Sequence, residues 1–60
     1  MDRWLFELEQ DGRVVASGEG PREDMLREAM HYATIYGQDG PVQAVVWRHG
    51  DEKPQTAPTS

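Results

Sequence analysis

The stretch Pro21-Arg22-Glu23-Asp24-Met25-Leu26-Arg27-Glu28-Ala29-Met30-His31-Tyr32-Ala33-Thr34-Ile35-Tyr36 decides the fold. It is the one segment where apolar residues recur at helical spacing over several turns. Stepped at about 100° per residue, Met25, Leu26, Ala29, Met30, Tyr32, Ala33 and Tyr36 fall on one broad side. Arg27, Glu28, His31, Thr34 and Ile35 fall on the other. This is an amphipathic helix with one stripe to bury. Pro21 suits the first helical position, since it has no N–H to leave unpaired, and Gly20 then stands at the N-cap. Glu23 and Asp24 place negative charge where the helix dipole favours it, and Glu23 lies four residues before Arg27. Gly37 can close the helix in a left-handed conformation, and Gly40-Pro41 prevents its continuation. Ala29 and Ala33 let the helix backbone come close to whatever lies beneath it.

Before the helix, Arg3 to Glu9 alternates. Trp4, Phe6 and Leu8 point one way, and Leu5, Glu7 and Glu9 point the other, as in a half-buried strand. Val14 to Glu19 reads as a second strand, and Asp11-Gly12 between them is a hairpin signal. A two-residue loop sets Leu8, Phe6 and Trp4 against Val15, Ser17 and Glu19, which mixes apolar with polar. A three-residue loop with Gly12 in a bulge sets them against Val14, Ala16 and Gly18, and pairs Glu9 with Arg13. The pattern favours the second, with Trp4, Phe6, Leu8, Val14 and Ala16 on the face under the helix. Ser17-Gly18-Glu19-Gly20 lacks the lysine of a phosphate-binding loop and reads as a tight strand-to-helix turn.

After the helix, Val42 to His49 forms a third strand that is apolar on both faces. Val42, Ala44 and Val46 share one, and Val45 and Trp47 the other. The expected fold class is α+β: a ββαβ two-layer sandwich, with a three-stranded, mainly antiparallel sheet in order 2-1-3 and one helix on one face. Strand three can instead lie parallel to strand two through a right-handed crossover. Residues 1–50 form the single domain. Residues 51–60, with two prolines and no aromatic residue, read as a disordered C-terminal tail.

Sixty residues can bury only a small core, and chains of this size often lean on disulfides, metals or partners. There is no cysteine, and the two histidines, His31 and His49, form no cluster with other ligands, so oligomerisation is the remaining support. The net charge of −5 argues against nucleic-acid binding, which needs a basic footprint, and leaves basic protein partners open. No stretch reaches the roughly 18 apolar residues of a membrane span, and no signal peptide opens the chain. The expectation is a cytoplasmic protein with no membrane contact.

No residue set points to catalysis. His49-Gly50-Asp51 sits at a fraying strand end, and Ser17 has no base beside it. Glu7, Glu9 and Glu19 share an uncovered face with Arg13, without the cleft that would shift a pKa. No catalytic, cofactor-binding or metal residue is assigned, and no cofactor is expected. The function that remains is a small non-enzymatic protein-binding or regulatory module. It acts through apolar sheet surface that one helix cannot cover, with Leu5, Val15, Val45 and Trp47 as interface residues. A homodimer is expected, joined through strand three or face to face. The alternatives are a self-assembling structural subunit and an acidic nucleic-acid mimic that blocks a basic host protein. In size and lack of motifs the chain resembles the accessory reading frames of phages and prophages. That resemblance implies a small binder of a host or phage protein.

Overall fold

The structure is a computed structural model and describes residues 2–54. The chain runs β1 (Trp4–Gln10), β2 (Arg13–Gly20), α1 (Arg22–Tyr36), β3 (Gln43–Arg48). The strands form one open sheet in the order β2-β1-β3. Both pairings are antiparallel, so β3 lies beside β1 and not beside β2. This is the expected α+β arrangement. Residues 55–60 of the segment read as a tail lie outside the described residues.

The hairpin differs from expectation in one detail. Its loop has two residues, and Gln10 pairs with Arg13. Asp11 (φ 55°) and Gly12 (φ 77°) are both left-handed, as a type I′ turn requires. The extra residue is not in the loop. It is Val15, a bulge in β2 between the pairs Glu9–Val14 and Leu8–Ala16. The bulge restores the parity that a plain two-residue hairpin would lose. Leu8, Phe6 and Trp4 oppose Ala16, Gly18 and Gly20, two residues further along β2 than expected. Val14 consequently stands opposite Glu9 and is 52% exposed, so it does not belong to the face under the helix.

That register explains the glycines of β2. Phe6 is completely buried, and a Cβ on Gly18 would stand 2.7 Å from its Cε1. A Cβ on Gly20 would meet the terminal methyl of Met25 at 3.4 Å. Gly18 and Gly20 therefore belong to the strand and form a bed for Phe6 and Met25, in place of the tight turn that their sequence suggests. The core is Phe6, Met25 and Ala29, with Trp4, Ala16, Tyr32 and Val46 packed around it. Leu8, opposite Ala16 and Ala44, is also completely buried. Burying a side chain such as Phe6 or Leu8 contributes about 1.5–3 kcal/mol each. The Phe6 and Tyr32 rings stack with centroids 6.1 Å apart.

The helix is turned slightly from its sequence reading. Met25 and Ala29 are buried, and Tyr32, Ala33 and Tyr36 are half-buried. Leu26 and Met30 are 39% and 74% exposed and lie outside the stripe. Three strands form a narrow bed, and the apolar side of the helix is wider than the bed. Pro21 takes the N-cap position, one residue later than expected for a start at Gly20. Arg27 pairs with Asp24 at 3.5 Å, in place of Glu23. Gly37 is right-handed (φ −63°), so no left-handed cap closes the helix. Backbone N–H groups close the last turn, Gly37 donating to Ala33 O at 2.8 Å and Asp39 to Tyr36 O at 3.0 Å, and β1 adds to them: Gln10 Nε2 donates to Tyr36 O at 2.8 Å and to Gly40 O at 3.3 Å. One side chain thereby gives the last helical carbonyl a second donor and ties the loop before β3 to the hairpin.

Two substitutions test this packing. Gly18→Val should lower stability by about 1–3 kcal/mol, because its side chain must displace the buried Phe6 ring. A chemical denaturation midpoint equal to wild type would contradict the register. Ala29→Glu should unfold the chain or nearly so, since an unpaired buried charge costs several kcal/mol, whereas Met30→Glu should stay within about 0.5 kcal/mol of wild type. Equal effects by circular dichroism would mean the helix lies on a different face.

Candidate functional site

The sheet has one face under the helix and one without. Alternation along β1 sends Leu5, Glu7 and Glu9 to the uncovered side. The β1–β3 register places Trp47 opposite Leu5, Val45 opposite Glu7 and Gln43 opposite Glu9. On the other flank Glu19, Ser17 and Val14 stand opposite the same three residues of β1. Across β1 and β3 the face therefore grades from an apolar pair, Leu5 with Trp47, through Glu7 with Val45, to a polar pair, Glu9 with Gln43. Three of the four expected interface residues, Leu5, Val45 and Trp47, come together here. The fourth, Val15, is the bulge residue and holds no place in the ladder. All four are half-buried.

The centre of this face is not empty. Beyond β3 the chain turns back, with Asp51 N–H donating to Arg48 O at 3.0 Å. Lys53 then lies over the face. Its ammonium contacts Glu7 Oε1 directly and stands 3.6 Å from Glu9 Oε2. It is also 6.0 Å from the centroid of the Trp47 ring, at the edge of cation–π range. Glu7 Oε1 is shut off from solvent, and among the described residues the Lys53 ammonium stands against it as an ion-pair partner. Bonding to Glu7 raises the Lys53 pKa above its usual 10.5, aided by the charges of Glu7 and Glu9 and opposed by desolvation.

Lys53 was hidden in a segment whose composition reads as tail. Two signals pointed to it. Lys53 is the only lysine in the chain. Glu7 and Glu9 sit at i and i+2 on one face of the central strand, where two like charges side by side call for a cation.

The other candidate groups do not converge. His49 is exposed, and its backbone N–H donates to Arg3 O at 2.7 Å, which extends the β1–β3 pairing. His31 is exposed on the outer helix surface, edge-on to Tyr32 at 5.3 Å. Ser17 is exposed on edge strand β2. Among the described residues no three His, Cys, Asp or Glu side chains gather to hold a metal ion. A shallow cleft of about 270 Å³ is lined by Glu9, Asp11, Gly12, Pro41 and Gln43. A second, of about 310 Å³, is lined by Asp2, Arg3, Gly20 and Pro21. Neither includes a histidine or the Trp47 row. Among the described residues no helix is long and apolar enough to cross a membrane.

No protein-family model, no curated protein and no solved structure matches this chain.

The Lys53 contact has a definite pH signature. Its pKa is raised on folding, so the contact stabilises the fold below the usual lysine value of 10.5 and the contribution fades as pH rises through the raised value. Lys53→Ala should therefore melt below wild type at pH 7, and the two melting curves should converge above pH 10.5. A melting difference that persists unchanged in strong alkali would show that the aliphatic stem, not the charge, makes the contact.

Proposed function

We propose that this chain is a small protein-binding module that works through the uncovered sheet face, with Trp47 at the centre of the contact. The observation behind this reading is the Leu5–Trp47 row beside Val45, on a face that the single helix cannot reach. A half-buried aromatic side chain with apolar neighbours, bordered by charged groups, is the usual composition of an interaction hot spot. Action in the cytoplasm and a host or phage protein as partner belong to the same proposal.

A homodimer is the second reading, and a separate feature favours it. β3 is an edge strand, and its Gln43 to Trp47 portion carries no charge and no proline. Two such edges can join across a two-fold axis into a continuous sheet. This mode leaves the Trp47 face free.

Affinity capture with wild type, Trp47→Arg and Met30→Arg tests the first reading. A stoichiometric foreign protein held by wild type and Met30→Arg, and lost by Trp47→Arg, is the expected result. Capture that is indifferent to Trp47 would overturn it. Sedimentation at micromolar concentration tests the second reading, which a clean monomer mass would overturn.

A further inference from the structure

We propose that Glu7 and Glu9, beside Trp47, form a recognition site for a lysine side chain of a basic protein segment, and that the chain's own Lys53 occupies this site in the free molecule. The inference rests on the binding role proposed for the uncovered face and assigns its partner a chemistry.

The argument begins with the two carboxylates. Both project from the central strand, with side chains only 26% and 25% exposed. Two neighbouring carboxylates in a partly desolvated position repel one another, and a shared cation relieves that. The ligand the site takes is already in it, as a primary ammonium that touches Glu7, lies 3.6 Å from Glu9 and stands 6.0 Å from the Trp47 ring. A compact ammonium fits this arrangement, because a point charge can stand between two carboxylates and still present a side to an aromatic ring.

Lys53 is held in a way that allows exchange. Its side chain remains 40% exposed. Among the described residues, the segment from Asp51 to Pro54 makes one backbone bond, that of Asp51 to Arg48, and all four of its residues are exposed. No apolar side chain anchors it. A lysine on another protein can make the same contacts and add packing of its neighbours against Leu5, Val45 and Trp47, which residues 51–54 do not supply. The net charge of −5 draws a basic segment toward the domain. The internal lysine thus blocks the acidic centre until a partner with more to offer replaces it.

The test is titration of a ten-residue peptide of alternating lysine and leucine, followed through the Trp47 indole and the Glu7 and Glu9 amide signals by NMR. A peptide with every lysine acetylated serves as control. Lys53→Ala should bind the lysine peptide about tenfold more tightly than wild type, a change of about 1.4 kcal/mol, because the internal competitor is gone. Glu7→Gln/Glu9→Gln should lose the binding, and the acetylated peptide should fail with every variant. Acetylation of the wild-type chain, which modifies its only lysine and its α-amine, should reproduce the effect of Lys53→Ala, while the same treatment of Lys53→Ala, where only the α-amine reacts, should change nothing. Circular dichroism establishes that each variant is folded, and if the double glutamine variant is not, Glu9→Gln takes its place. Equal affinity in wild type, Lys53→Ala and the acetylated chain would overturn the proposal. So would full binding by the glutamine variants, which would show attraction to overall charge. A wild-type dimer that Lys53→Ala converts to monomer would overturn it in favour of a second copy's Lys53 as the occupant. If capture depends on Trp47 while lysine peptides are indifferent to Lys53, this inference falls and the binding role stands.

Discussion

One helix can cover one face of a sheet, and how closely it settles there determines the rest of this molecule. The helix approaches through Ala29, and Phe6 fits beneath it because Gly18 offers no Cβ to hold the ring away. Phe6, Met25 and Ala29 then close a core of few residues. Among the described residues no second layer covers the other face, since they hold a single helix. The apolar row of Leu5 and Trp47 is therefore a consequence of the same packing that makes the fold. Moving the helix to the other face would place it over Glu7 and Glu9 and leave two carboxylates beneath it, which is far less favourable than the present arrangement.

The architecture was legible in the residues because alternation and helical spacing are both determined by which side must be dry. Trp4, Phe6 and Leu8 could face only one way, and the apolar side of Pro21 to Tyr36 could only lie on them. Alternation determines parity, however, and not register. A three-residue loop and a two-residue loop followed by a bulge preserve the same parity and differ by two positions along β2. What separates them is the size of the facing residue: Phe6 lies against Gly18 in the real register and against Ala16 in the other. The apolar arc of the helix is wider than the stripe it buries for a related reason. Leu26 and Met30 lie within the apolar arc of the helix, but three strands do not extend beneath them.

The uncovered face was legible as a surface and not as a site. Leu5, Val45 and Trp47 come together as their alternation requires, while Val15 does not, because a bulge residue leaves the ladder. Lys53 escaped a reading based on composition, since a lysine among prolines and polar residues looks like solvated tail. Its position follows from charge. Glu7 and Glu9 create a local need for a cation, and Lys53 lies within reach just beyond the turn that ends β3. The weaker ion pairs at the other end of the sheet, Arg3 with Glu19 and Arg48 with Asp2, are solvent-exposed and contribute little to stability.

The most direct test of this account is the pattern of proton–proton NOEs from the two aromatic side chains on opposite faces. The account predicts that the Phe6 ring shows NOEs to the Gly18 Hα protons, the Met25 methyl and Tyr32, while the Trp47 indole shows NOEs to Leu5 and Lys53 and none to any residue of the helix. NOEs between Trp47 and Met25 or Ala29 would contradict it, because they would place the helix on the face that this account leaves open to a partner.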